Sequence, residues 1–182
     1  MISNISQNKI INELKNSYKR KREAIQARLK EFSQVPASEY FYELAFCLLT
    51  PQSSAVNADS VIQKLKKRRF FEIGFNTESI LRDKEHYIRF HRNKAKYLSL
   101  LRIEYKIILP KFFENNSPQE LRSFLVDNVR GLGLKESTHF LRNIGRNGNL
   151  AILDRHILKK LVELRVIPDL PTSISRKTYY LI

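Results

Sequence analysis

The sequence predicts an all-α protein. Three observations carry that expectation. Apolar residues recur at steps of three and four along most of the chain, the spacing of one helix face. No segment of reasonable length alternates with period two, the mark of a half-buried strand. Glycine (5) and proline (6) are few and fall between the periodic segments, so the connections are short.

Taken in order, the first helix is expected over residues 5–32. Ile10, Ile11, Leu14, Tyr18, Ile25, Leu29 and Phe32 form its apolar stripe. Lys19, Arg20, Lys21 and Arg22 charge its other face, either as a solvated surface or as one that meets phosphate. Pro36 and Ser38 punctuate the chain. A second helix over residues 38–49 is apolar on most sides and is therefore central. Pro51 ends it by disfavouring helix at the residue before. Ser53 or Ser54 then caps a third helix carrying Val56, Val61, Ile62 and Leu65. The basic run over residues 64–69 closes that helix with charge suited to its negative end. Thr77, with Ser79, Ile80 and Leu81, starts a short helix. A longer one runs over residues 92–107, with Ala95, Leu98, Leu101 and Tyr105 on one face, and Pro110 ends the region. Ser117, Pro118 and Glu120 are the strongest local signal: a capping serine, a proline at the first helical position and a glutamate three after the serine. This helix is expected to bury Leu121, Phe124, Leu125 and Val129.

Gly131 and Gly133 flank Leu132 between two helices. Glycine permits positive φ and lets a partner's backbone come close. The amides of such a turn, with those opening the next helix, can face a phosphate. An ordinary corner between helices would carry the same glycines, so the residues downstream decide. Lys135 falls in the first turn of the next helix, which Phe140, Leu141 and Ile144 hold in place and Gly145 ends. The positive end of a helix works against a protonated amine and makes a useful place for a nucleophile. Asp154 opens a further helix with Arg155, His156, Ile157 and Leu158. As an N-cap it accepts main-chain N–H groups, and its second oxygen can still face a neighbouring cleft. One amine and one carboxylate in a strongly basic protein suggest chemistry on the sugar of a damaged nucleotide.

The balance of charge supports that direction. Thirty-three basic residues against eighteen acids leave a formal net charge of +15, which suits a polyanion. The 182 residues suffice for one compact domain or two small helical lobes sharing a core. Hydrophobic content of 42% excludes global disorder. Cys47, the single cysteine, lies in the apolar run over residues 44–49 and reads as a small core residue. One cysteine makes no intrachain disulfide and cannot supply the thiolates of an iron–sulfur cluster. No Cys/His cluster has zinc spacing either. The N-terminus is polar and lacks a signal-peptide core. No apolar run approaches the roughly 20 residues that span a membrane. A cytoplasmic, nucleoid-associated protein without membrane contact is expected. No helix shows a spare apolar face that asks for a partner, so a monomer with no protein partner is expected as well.

The stretch from Gly131-Leu132-Gly133-Leu134-Lys135 to Gly145, followed by Ile152-Leu153-Asp154-Arg155-His156, resembles the helix–hairpin–helix DNA glycosylase superfamily. It looks most like the archaeal-type branch of 8-oxoguanine DNA glycosylase/AP lyases. Two earlier stretches agree. Phe46-Cys47-Leu48-Leu49-Thr50-Pro51-Gln52 resembles that branch's Cys-x-Leu-Thr segment. Arg89-Phe90-His91-Arg92-Asn93-Lys94-Ala95-Lys96-Tyr97 resembles its Arg-Phe-x-x-x-Lys-Ala-x-Tyr segment.

The resemblance implies two helical lobes with the active-site cleft between them. Lobe 1 would comprise residues 1–48 with 150–182, lobe 2 residues 49–149, and the hairpin motif residues 118–145. It implies a bifunctional enzyme that excises oxidised guanine from duplex DNA and nicks the abasic strand by β-elimination. Carried over by position, Lys135 is the nucleophile and Asp154 the essential carboxylate. Gln52 falls in the loop that pushes a side chain into the DNA stack. Gly131, Leu132, Gly133 and Arg155 would contact the strand. His139 and Arg142 match the pattern too, His139 in a structural hydrogen-bonding role. No cofactor is implied, and the partner is double-stranded DNA carrying a damaged base or abasic site. Two alternatives stay open: a catalytically impaired DNA-binding module, and a glycosylase for another oxidised base. Residues 175–182 read as the start of a helix. Members of the branch continue through further helices that close the base pocket, so the C-terminus reads as truncated, and Tyr179, Tyr180, Leu181 and Ile182 as short of cover.

Overall fold

The computed structural model describes residues 4–172, 174 and 176–182. Among them the regular structure is helical throughout, with no strand. The helices are α1 (Asn4–Ser33), α2 (Tyr40–Leu49), α3 (Ala55–Lys67), α4 (Phe70–Ile73), α5 (Glu78–Leu81), α6 (His91–Ile108), α7 (Pro118–Asn128), α8 (Leu134–Asn143), α9 (Arg155–Glu163) and α10 (Arg176–Leu181). Single 3-10 turns precede α2 and follow α6.

The central place expected for α2 is where it sits. Phe41, Leu44, Ala45, Cys47, Leu48 and Leu49 are all buried, and α3, α6 and α8 pack around them. A helix apolar on every side has no face to offer water. Each fully buried Leu or Phe here is worth about 1.5–3 kcal/mol relative to exposure. Aromatic edges lock the neighbours together. Phe41 meets Tyr105 of α6 at 5.3 Å, and Phe140 of α8 meets Phe112 at 5.3 Å. Ala95, Leu98, Leu101 and Tyr105 face inward from α6 as their spacing requires.

The helix over Pro118–Asn128 starts as its sequence dictates. Ser117 Oγ accepts the Glu120 N–H at 3.2 Å, and Glu120 Oε2 accepts the Ser117 N–H at 2.7 Å. Leu121, Leu125 and Val129 are buried, but Phe124 is only half-buried. Arg122 takes a core position that the pattern assigned to nothing, its guanidinium 5.4 Å from the Tyr179 ring centroid and 5.1 Å from that of Tyr180.

Other expectations need correction. The stripe on α1 is not a core face: Leu14, Tyr18, Ile25 and Leu29 are exposed, and only Phe32 is buried. A 30-residue helix is about 45 Å long. Its C-terminal end packs on α8, and Gln7 reaches the Leu164 carbonyl at 2.7 Å. The middle therefore carries a spare apolar face, contrary to the premise that no helix does. Val56 on α3 is likewise exposed. Ser54 stands at the N-cap of α3 without a capping bond. The short helix expected at Thr77 is α5, whose Glu78 N–H is accepted by Asn76 Oδ1. No apolar period announced α4, which follows a left-handed break at Arg69. At the other end, Tyr179 is covered rather than bare, whereas Tyr180 is exposed. Ser175 and the Leu181 side chain lie outside the described residues. Among those described, no helix is long and apolar enough to cross a membrane.

Candidate active site

Val129, buried at the end of α7, leads into a turn closed by the Leu132 N–H on its carbonyl at 3.1 Å. Gly131 has φ +94°, and a Cβ there would sit 2.5 Å from the Tyr97 ring. Glycine is required twice over, for the left-handed backbone and for the close approach. Gly133 is different: its φ of −100° suits any residue. Leu132 buries its side chain, so the turn offers main chain outward.

Helix α8 begins at Leu134, and Lys135 stands in its first turn. The Lys135 ammonium lies 3.5 Å from Glu136 Oε1, whose side chain is largely buried. One face of α8 continues through His139 and Arg142, four and seven residues on. His139 makes no hydrogen bond to a described residue, contrary to its expected structural role. Its ring packs edge-on against Phe46 instead. Burial and the positive charges of Arg142 and Lys135 bring its pKa down to about 4. Arg142 stacks over Phe32 and donates to Asn143 Oδ1 at 2.9 Å, and Asn143 donates to Glu43 at 3.0 Å. Burial raises the Glu43 carboxyl above its usual range.

Asp154 caps α9. Its Oδ1 accepts the N–H groups of His156 at 2.9 Å and Ile157 at 2.8 Å, and no described residue bonds its Oδ2. Arg155, the first residue of α9, is exposed beside it. Lys135 and Asp154 do not form an ion pair. They are related through Tyr179 of α10. Leu134 and Leu153, the residues just before them, pack against the Tyr179 ring in one small apolar cluster. The Tyr179 hydroxyl accepts the Leu153 N–H at 3.3 Å and donates to the Ala151 carbonyl at 3.1 Å. It also lies 3.5 Å from Thr138 Oγ1 of α8. A cavity of about 370 Å³ opens beside this cluster, lined by Lys135, Glu136, Arg176 and Tyr179 among others.

The Thr50–Ser53 turn separates α2 from α3. Gln52 is exposed at its tip with φ +54°. Lys94 of α6 reaches in from behind and donates to the carbonyls of Leu49 and Pro51, both at 2.7 Å. Arg82, Arg89 and Arg92 line the depression beyond the turn, a basic rim. The nearest thing to a metal-ligand group among the described residues is Asp83 with Glu85 and His86. The Lys64 ammonium already fills that position, 2.9 Å from Asp83 and 3.3 Å from His86.

A lysine in the first turn after a glycine hairpin, a capping aspartate downstream and, apart from them, a basic depression are the candidate features. The model of the family described as 8-oxoguanine DNA glycosylase matches residues 25–182. The chain belongs to that family. It is 40% identical to the 8-oxoguanine DNA glycosylase/AP lyase of Fusobacterium nucleatum, over 96% of this chain and 84% of that one. It superposes with a TM-score of 0.78 and 34% identity on the Methanocaldococcus jannaschii 8-oxoguanine glycosylase/lyase, solved with a 15mer DNA containing 8-oxoguanine. That match covers 95% of this chain and 82% of the other. The 8-oxoguanine DNA glycosylase of Thermotoga maritima superposes at 0.81 with 27% identity, over 96% and 84% of the two chains.

Sequence reasoning singled out Lys135, Asp154 and the hairpin as candidates but missed the residues packed around them. Tyr179 read as a residue short of cover, and Tyr97 and Lys94 as parts of a resemblance. The hydrogen-bond partners of Tyr179 and Lys94 lie 26 to 45 residues away in the chain, where a local pattern carries no signal.

Proposed function

We propose that this protein excises 8-oxoguanine from duplex DNA and then cleaves the abasic strand, with Lys135 as nucleophile and Asp154 as the essential carboxylate. The observation that carries this reading is the link through Tyr179, which ties the first turn of α8 to the loop that ends in the Asp154 cap. Two catalytic groups 19 residues apart need such a brace to act on one sugar (154 − 135 = 19).

In this reading α1 and the segments after residue 150 form one side and α2, which packs on α3, α6 and α8, belongs with residues 50–149 on the other, with the reacting nucleotide held between them. The main chain of Gly131, Leu132 and Gly133 grips phosphate, and Arg155 adds a charged contact. Gln52 enters the stack as the damaged nucleotide turns out. The Lys135 amine attacks C1′ of the deoxyribose. The bond to the base breaks, and the base leaves with that electron pair and a proton. The free Asp154 oxygen stabilises the positive charge that develops on the sugar. The sugar ring opens to a Schiff base on Lys135, loss of the C2′ proton expels the 3′ phosphate, and water releases the lysine.

Borohydride trapping tests the assignment. A covalent adduct is expected with an 8-oxoguanine duplex, and Lys135→Gln is expected to abolish it. Asp154→Asn is expected to slow base release by about 10² or more, the scale of losing an electrostatic stabiliser. A Lys135→Gln protein that still traps, or an Asp154→Asn protein with full base release, overturns the corresponding role.

A further inference from the structure

Lys94 is 5% exposed, yet it carries a charge. No carboxylate among the described residues pairs with it. Its ammonium donates instead to the Leu49 carbonyl at 2.7 Å, the Pro51 carbonyl at 2.7 Å and Ser53 Oγ at 3.2 Å. All three acceptors belong to the end of α2 and the turn that follows. A buried charge is costly unless its hydrogen bonds are satisfied, and an apolar residue of similar volume fills a core more cheaply. Packing therefore does not explain a lysine here. Burial brings its pKa down to about 8, with Glu136 acting in the opposite direction, so it keeps its charge at neutral pH.

The turn it holds is strained. Gln52 adopts φ +54°, a left-handed backbone in a residue that is not glycine. Such residues are disfavoured and persist only where the surroundings hold them. The Ser53 N–H closes the turn on the Thr50 carbonyl at 3.0 Å. Ser53 Oγ also accepts the Arg89 N–H at 3.0 Å, which joins the turn to the segment leading into α6. Gln52 itself stands exposed at the tip. One ammonium thus anchors both sides of an outward-pointing, strained residue.

We propose that Lys94 is a positioning residue for DNA opening: its ammonium holds the Thr50–Ser53 turn preformed, so that Gln52 enters the duplex without first being ordered. This rests on the function proposed above. Ordering a loop on binding costs free energy, and a loop held in its bound shape avoids that cost.

Duplex opening is separable from chemistry. In a Lys135→Gln background, the probe is an 8-oxoguanine duplex with 2-aminopurine beside the lesion. Fluorescence at saturating protein reports unstacking and does not depend on affinity. The Lys135→Gln parent is expected to give a rise, and Gln52→Ala on that background to lose it. Lys94→Met, which keeps the packing volume but not the charge, is expected to lower the rise fivefold or more. A smaller loss shows that Lys94 merely fills space and overturns the proposal. Ser53→Ala removes one acceptor and carries the same test, with at least a twofold loss expected, should Lys94→Met fail to fold. A parent that shows no rise while still binding the duplex would instead overturn the base-flipping function, and this proposal with it.

Discussion

At the scale of single residues, Gly131 has little freedom. Alanine there meets both a left-handed φ and the Tyr97 ring. Strain of about 1–3 kcal/mol from the backbone, with about 1–3 kcal/mol from overpacking, leads us to expect Gly131→Ala to lose roughly 2–6 kcal/mol. Urea denaturation measures this, and a loss below about 1 kcal/mol contradicts the geometry. Gly133→Ala, in an extended backbone, is the mild counterpart. His139 makes a pH prediction. Its folded pKa of about 4 lies below the ordinary 6.5. Above pH 6.5 it is neutral in both states. Between 6.5 and 4 the unfolded chain takes up a proton that the folded one refuses, so stability falls as pH falls through that window. Melting at pH 7.5 and 4.5 is expected to show a larger acid loss for wild type than for His139→Gln. Equal losses would show that the His139 pKa is not depressed by folding.

Elements position the site through a few contacts between ends. The capping box at Ser117 starts α7, Gly131 turns the chain, and the N-terminus of α8 then presents Lys135. Asp154 does the same for α9 by capping it. Tyr179 makes these two helix starts a unit. Replacing it with Phe keeps the ring among Leu134 and Leu153 but leaves the Leu153 N–H and the Ala151 carbonyl without their partner. A buried group so orphaned costs about 1–3 kcal/mol. Where that cost is met by a shift of the Asp154 loop, catalysis declines with it. We expect Tyr179→Phe to lower the single-turnover rate of base excision about tenfold, with duplex affinity changed less than threefold. A fall in affinity with an unchanged rate places Tyr179 in DNA binding instead. Helix α1 teaches the converse: its stripe has helical spacing and yet lies exposed in the middle, because periodicity reports a helix and not what lies against it.

At the scale of the whole molecule, charge dominates. A net +15 on a DNA-binding protein implies that bound cations leave the duplex when the protein arrives. If about six phosphates are engaged, affinity is expected to fall about 10³-fold between 50 and 200 mM salt. Fluorescence anisotropy at several salt concentrations gives the slope, and a flat response removes the basic rim from the interface. The same large charge could be counted without a structure, as could the helical class, the boundaries of α2, α6 and α7, and the identity of Lys135 and Asp154 as candidates. These depend on local chemistry: periodicity, a serine cap, a proline, a pair of glycines. What only the tertiary structure decided is non-local. It put Tyr179 between Leu134 and Leu153, Tyr97 beneath Gly131 and Lys94 behind Gln52, and it left the α1 stripe bare. Each of those outcomes depends on which helix ends meet in space, and the free energy that chooses among meetings comes from apolar burial across the whole chain, which has no direction and leaves no local mark.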